Sequence, residues 1–286
     1  MKLVLISKCG PANLHIVNRV LSEWPTAALI RPYWVRSTRT ARRQQLKAPF
    51  ASTAAVTRRL WYASHARHMD RVVSQHLFGS KRSPAPPQGH EIQASLLNGP
   101  EGLELVRSLK PDMIVLSGAP ILGPGLLSVP RYGVLNVHFG IAPHYRGSHT
   151  LFYALYREDY SRVGVTLHYV DEGVDTGPIV AQAFPQLEVS DTEATVQAKS
   201  ATMAADLLLE FLARRSRSGA CFVEPGSARF LRRSSSAPTE GRPQARQGHL
   251  YRFRDRSIWH DADYMFRRTV LRRRPDPREA RLVRYF

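Results

Sequence analysis

The chain has 286 residues and a formal net charge of +18, from 41 Lys and Arg against 23 Asp and Glu. Hydrophobic residues make up 43% of it, a globular share that excludes a wholly disordered chain, a collagen and a disulfide-knit miniprotein. No apolar run reaches the roughly 18 residues of a membrane helix, and the opening "MKLVLIS" lacks the longer apolar stretch and small-residue cleavage site of a signal peptide. Residues 2–7 read as a buried strand, "KCGPAN" as a turn and 13–23 as a helix. Residues 33–89 show no strand alternation. Within them 53–77 has helical spacing, with Val56, Leu60, Ala63, Ala66 and Met69 as the apolar positions. "GSKRSPAPPQG" (79–89) is a loop by composition. A short strand at 91–96 follows, then a helix at 100–109 with Pro at its first position, then apolar strands at 113–117 and 134–138. A helix starts at 150–156, and strands are expected at 163–169 and 179–184. "SDTE" (190–193) has the form of a capping box opening a helix, whose apolar face is Val196, Met203, Leu207, Leu208 and Phe211.

Strands alternating with helices over residues 1–213 predict an α/β domain with a largely parallel sheet. The expected layout is a catalytic domain at 1–215 carrying a helical insertion at 33–89, a Ser-, Arg- and Pro-rich linker at 216–249, and a basic appendage at 250–286. The appendage has too little apolar content for its own core, so it is expected to pack on the main domain or on a second subunit. Two cysteines, Cys9 and Cys221, fit free thiols in a reducing, cytoplasmic compartment.

The positive charge is not spread evenly. Residues 31–82 hold twelve basic residues and one acid, and 214–286 hold nineteen Arg and seven acids, while the rest of the chain is slightly acidic. Arg suits bidentate phosphate contacts, so a nucleic-acid partner is one reading; a solvated basic surface is the other. His65 and His68, three apart on the same helix, lack further candidate ligands for a metal.

The chemistry concentrates in "GVLNVHFGIAPHYRGSHT" (133–150). Residues two apart on a strand share a face, so Asn136 and His138 project together while Leu135 and Val137 point the other way. They sit at the C-terminal end of their strand, where open parallel sheets bind ligands. An amide beside an imidazole can stabilise an oxyanion, and the imidazole can also move a proton. In the second cluster, "YVDEGVDTGPI" (169–179), Asp175 is the carboxylate best placed to be held by Gly177 and Pro178. A carboxylate near His138 would raise its pKa and fix its orientation. Alone, such an Asp more often forms an Asx-turn.

Together, "NVHFGIAPHYRGSHT" and "GVTLHYVDEGVDTGPIVAQ" resemble the folate-dependent formyltransferase family, which includes glycinamide ribonucleotide, methionyl-tRNA and nucleotide-sugar formyltransferases. The likeness is strong over residues 110–185 and weaker over 1–30 and 186–215. It implies a Rossmann-like fold and a catalytic trio at Asn136, His138 and Asp175. It also implies transfer of a formyl group from 10-formyltetrahydrofolate, as co-substrate, to a primary amine. Direct amine attack gives a tetrahedral oxyanion held by Asn136 and by a His138 kept protonated or nearly so, with Asp175 and His138 relaying the proton. No metal and no covalent enzyme intermediate are implied. The folate would lie against Ser117, Ile121, Leu122, Val170 and Gly173, with Ile121 and Leu122 flanking the pterin. Tyr145, Arg146, His149 and Tyr153 would line the amine side, and Asn13 the substrate loop after the first strand.

The acceptor is argued by elimination. In "KCGPANLH" (8–15), Ala12 replaces a family Ser and Pro11 removes an N–H donor, which weakens a phosphate cradle and counts against glycinamide ribonucleotide. The tail shows no alternating strand series, which counts against the barrel-like domain of the methionyl-tRNA branch. A nucleotide-linked 4-amino-deoxysugar fits best, with a pyrophosphate that Arg could hold and Tyr33, Trp34 and Arg36 available for base stacking. A methionyl-tRNA-like enzyme acting on RNA is the alternative. Behind it stand a glycinamide ribonucleotide formyltransferase, a formyltetrahydrofolate deformylase, which the opening strand argues against, and a non-catalytic RNA-binding protein. A homodimer is left open.

Overall fold

The computed structural model describes residues 1–35, 49–217, 248–252, 255–271, 275 and 277–285. The linker expected at 216–249 therefore falls almost wholly outside the described residues, as do Arg36 and Cys221. Strand β1 (Leu3–Ser7) leads through a turn into α1 (Pro11–Glu23), which has Pro at its start where a missing N–H costs nothing. Next come β2 (Ala28–Tyr33), α2 (Pro49–Phe78), β3 (His90–Gln93), α3 (Pro100–Leu109) and β4 (Met113–Ser117). A one-turn helix α4 (Pro124–Leu127) precedes β5 (Val134–His138), the short β6 (Tyr145–Gly147) and α5 (Thr150–Tyr156). Strands β7 (Val165–Tyr169) and β8 (Ile179–Phe184) precede the long α6 (Glu193–Arg217). The C-terminal part supplies β9 (His249–Tyr251), α7 (Ile258–Thr269) and β10 (Arg281–Arg284).

Eight strands form one sheet in the order β10-β8-β7-β5-β4-β1-β2-β3. The five from β3 to β5 run parallel, and β7, β8 and β10 alternate antiparallel at one side. The sheet is mostly parallel, as expected. Strand alternation sorts its side chains into two cores. Leu3, Leu5, Met113, Val115, Leu135 and Val137 meet Ile16, Val17 and Val20 of α1 and Leu208 and Phe211 of α6. Val4, Ile6, Ile114, Leu116 and Val134 meet Val106 of α3 and Leu126 of α4 on the opposite face. Strand order reverses beside β1, so the loops after β1 and β4 open at the switch point where ligands of such sheets bind.

Two expectations are corrected and one strand is added. Strand β2 lies where the sequence reading assigned no element. Pro32 lies beyond the register with β1, which ends at Ile30, so its missing N–H leaves that ladder intact. On α2, Val56 and Leu60 are exposed, while Met69, Val72, Val73 and Leu77 pack inward. The inward face of the preceding turns carries Tyr62 and His65, which serve a polar cluster described below. At the start of α6 the cap forms between Thr192 and Thr195, each backbone N–H meeting the other's hydroxyl, and not between Ser190 and Glu193. Glu193 is drawn instead onto Arg256.

The described residues after 248 are built into the same body. Strand β10 extends the sheet on β8, and Arg284 bonds Glu210 of α6 at 2.8 Å. Strand β9 pairs in parallel with β6. Helix α7 is capped by Ser257, whose hydroxyl accepts the His260 N–H while the His260 ring reaches back to the Ser257 N–H. Among the described residues no helix is long and apolar enough to cross a membrane.

Candidate active site

The β4–β5 pair ends with Ser117 beside Val137, so the loops 118–123 and 139–148 emerge side by side. Asn136 and His138 share the face opposite Leu135 and Val137, as the strand period requires. Across the antiparallel β5–β7 pair, Asn136 faces His168 and His138 faces Thr166. The β7–β8 turn then brings Asp175 over this row, with its backbone in the left-handed region at φ 51°. That turn closes tightly. A Cβ on Gly177 would lie 1.9 Å from the Tyr169 carbonyl oxygen, so only glycine fits.

Asp175 is the hub. Its Oδ1 accepts from Asn136 Nδ2 at 3.2 Å and lies 3.3 Å from His168 Nε2. Its Oδ2 accepts from the Gly147 N–H at 2.8 Å and lies 3.4 Å from His138 Nδ1. The side chain is 10% exposed. Burial alone would raise its carboxyl. The two imidazoles and the Gly147 N–H overcome that and hold it well below the usual carboxylate range. Asp175 is therefore a fixed negative charge. The expected holding by Gly177 and Pro178 is replaced by these four contacts. Asp171 takes the Asx-turn role, accepting from the Gly173 N–H at 3.0 Å and the Thr176 hydroxyl at 2.6 Å.

His138 sits between two acceptors, with Nε2 2.8 Å from the Tyr145 carbonyl and Nδ1 facing Asp175. Burial pushes its pKa down, Asp175 opposes, and His168 adds to the depression; the net value lies below the ordinary 6.5. The expectation of a His138 held protonated by Asp175 is corrected here, because desolvation outweighs the carboxylate. His168 was missed by the sequence reading. Its Nδ1 donates to the Tyr169 carbonyl at 2.8 Å, and its Nε2 lies 3.1 Å from Asn136 Nδ2 and 3.3 Å from Asp175 Oδ1. The signal that could have found it is the antiparallel register of β7 with β5, which local patterns do not fix.

The other expected site residues divide. Ser117 donates to Asn13 Oδ1 at 2.9 Å, and both are buried, so this pair braces the loops at the switch point. Ile121 stands 75% exposed while Leu122 is packed in the core. Asn98 fixes that loop, donating to the Ile121 carbonyl at 2.9 Å and accepting from the Gly123 N–H at 2.7 Å. Val170 continues β7, donating to the Val134 carbonyl at 2.8 Å. Tyr145 lends the site its carbonyl; its ring is buried, stacks on Tyr251 and donates its hydroxyl to Asp159. Tyr153 is likewise buried, stacked on Tyr251 at 4.1 Å, and burial pushes its phenol up to about 12. Arg146 donates to the Gly248 carbonyl. His149 begins α5 in the left-handed region, and burial together with Arg256 pushes its pKa down to about 4. Tyr33 and Trp34 are exposed at the end of β2.

A buried carboxylate close to an amide and two imidazoles is an arrangement that can move a proton and stabilise charge developing on a carbonyl oxygen. Residues 42–212 match the family described as formyl transferase, and the chain belongs to that family. It is 33% identical over 143 residues to a methionyl-tRNA formyltransferase of Thermosynechococcus vestitus, covering 47% of this chain and 43% of that protein. To the methionyl-tRNA formyltransferase of Halorhodospira halophila it is 38% identical over 115 residues, covering 40% and 37%. The chain spans less than half the length of these curated relatives. Its fold is similar to that of a sugar N-formyltransferase from Shewanella, with a TM-score of 0.53 and 16% identity over 93% of this chain and 87% of that one.

Proposed function

We propose that this protein transfers a formyl group from 10-formyltetrahydrofolate to a primary amine. The observation that carries the reading is the meeting of Asn136, His138 and His168 on one carboxylate, Asp175. The co-substrate supplies a formyl carbon open to attack by an amine. Ile121 fits that molecule, since a rigidly held loop leaves a large apolar side chain in solvent beside the site. Asn136 can turn an amide N–H toward the carbonyl oxygen where negative charge develops. A largely neutral His138 can take up the proton that the attacking amine must lose and return it to the folate nitrogen as the formyl carbon–nitrogen bond breaks and tetrahydrofolate leaves. Asp175 stabilises the intervening imidazolium as a fixed charge. Its carboxyl is too acidic to carry the proton itself, so the relay runs through the imidazole.

The acceptor we favour is a nucleotide-linked 4-amino-deoxysugar. Support comes from the described residues after 248, which complete the catalytic body's own sheets and pack on its helices, and from the fold likeness to a sugar N-formyltransferase along most of this chain. The second reading, an enzyme acting on methionyl-tRNA, is favoured by the names of the relatives at 33–38% identity. Incubation with formyl-folate and a panel of amino-sugar nucleotides, glycinamide ribonucleotide and methionyl-tRNA decides between them. Formylation of the sugar nucleotide alone is the expected result; formylation of tRNA alone overturns the sugar reading, and transfer to none overturns the activity.

A further inference from the structure

Strand β6 touches both ionisable members of the trio through its backbone. The Tyr145 carbonyl accepts from His138 Nε2, and two residues on the Gly147 N–H donates to Asp175 Oδ2. The spacing between those two backbone groups thus sets how His138 and Asp175 face one another. The other side of β6 is occupied by β9, with Tyr145 paired to His249 and Gly147 to Tyr251. Ser148 also donates to the Tyr251 carbonyl at 2.8 Å. A Cβ on Gly147 would lie 2.0 Å from that same carbonyl oxygen, so the two strands are in their closest possible approach.

Strand β9 has three residues and pairs with one neighbour. Buried Tyr251, stacked on Tyr145 and Tyr153, pins its end, and a second, charged anchor lies just downstream. Asp255 closes a turn on the Arg252 N–H at 2.7 Å, and Arg256 follows, buried. The Arg256 guanidinium is gripped on all sides. Nη1 and Nη2 meet the two oxygens of Glu193 at 2.8 and 2.9 Å. Nε and Nη2 meet Asp261 Oδ1 at 2.9 and 2.5 Å. Nη2 reaches His65 Nε2 at 3.0 Å and Nη1 lies 3.5 Å from His149 Nδ1. The group lies 3.6 Å over the Phe152 ring, and its own carbonyl accepts from the Tyr62 hydroxyl. Trp61 Nε1 donates to the second Asp261 oxygen at 3.2 Å. One side chain therefore joins α2, α5, α6 and α7 beside the site.

We propose that Arg256 is a positioning residue of the transfer reaction: by fixing β9 against β6 it sets the placement of His138 and Asp175, which it does not touch. The proposal rests on the formyl-transfer reading of the trio. A purely structural Arg256 would affect the melting temperature alone; a positioning one also changes the trio's geometry.

The test compares the wild type with Arg256→Lys, which keeps the charge but loses the fork, and with the triple variant Arg256→Met, Glu193→Gln, Asp261→Asn, which leaves no buried charge unpaired. In each, kcat and KM are measured, and the His138 imidazole is titrated by NMR on histidine-labelled protein without substrate. A positioning role predicts a kcat lower by roughly tenfold to a hundredfold with KM nearly unchanged, the effect expected of a small misplacement. It also predicts a His138 titration displaced to lower pH, because Asp175 no longer supports the charged ring. The Lys variant retains more of both properties than the triple variant. A folded variant of either kind with wild-type kcat and wild-type His138 titration overturns the proposal. If the wild type formylates no amine, the activity reading fails by itself, and the His138 titration still decides the role of Arg256.

Discussion

Asn136 and His168 face each other across the β5–β7 pair, the amide nitrogen 3.1 Å from the ring Nε2. Both also reach the same oxygen of Asp175. Replacing His168 by Phe should lower kcat about tenfold or more while leaving affinity for the formyl donor intact. Losing a buried partner should also cost roughly 1–3 kcal/mol of stability. Steady-state kinetics and urea unfolding measure the two effects; unchanged kcat with a lowered midpoint would reduce His168 to a structural role.

His138→Ala and Asp175→Ala should each abolish turnover, by about 10²–10⁴-fold or more as for lost acid–base groups. Folate binding should survive, since neither side chain is among the residues expected to hold the pterin. Binding is read by calorimetry and transfer by product formation. Near-normal turnover in either variant would contradict the assigned chemistry.

Gly147→Ala should be damaging twice over. The backbone there stands at φ 92°, and the new methyl would meet the Tyr251 carbonyl. A loss of about 1–3 kcal/mol is expected from the strained backbone alone, together with a lower kcat because the N–H that holds Asp175 moves. Thermal melts and kinetics on the same preparation check both.

Stability should fall on acidification in two stages. His149 is pushed from its ordinary 6.5 to about 4, and His138 is lowered as well. The unfolded chain therefore binds more protons between these values, and their contribution is present above pH 6.5 and lost as the pH falls toward 4. Glu193, held at about 2 against an ordinary 4.5, and Asp175, held low as well, contribute above pH 4.5 and are lost below it. Denaturant midpoints measured from pH 8 down to pH 3 should show both slopes. A flat profile between pH 6.5 and 4 would mean that the two histidines are not buried as described.

Much of the fold is legible locally. The buried strands at 3–7, 113–117 and 134–138 and the helix from 193 carry their signals in runs of apolar residues at period two or 3.6. Strands β6, β9 and β10 have three or four residues and show no such period; each exists because a distant strand offers it a partner. The exposed Val56 and Leu60 on α2 make the same point from the other side: apolar spacing marked a face, but Tyr62 and His65, drawn to Arg256, decided which face turned inward.

The sequence by itself singled out Asn136, His138 and Asp175. Strand alternation puts Asn136 and His138 on one face, because side-chain direction in an extended chain is set by parity alone, and a Gly-rich turn carries Asp175. Only the tertiary structure decided their state and their company. The pairing of β5 with β7 brought His168 to Asn136, the β6 backbone came to hold His138 and Asp175, and burial left the imidazole with a lowered pKa. Those outcomes depend on register between distant strands and on water excluded by many residues at once, and neither is encoded in any short stretch of chain.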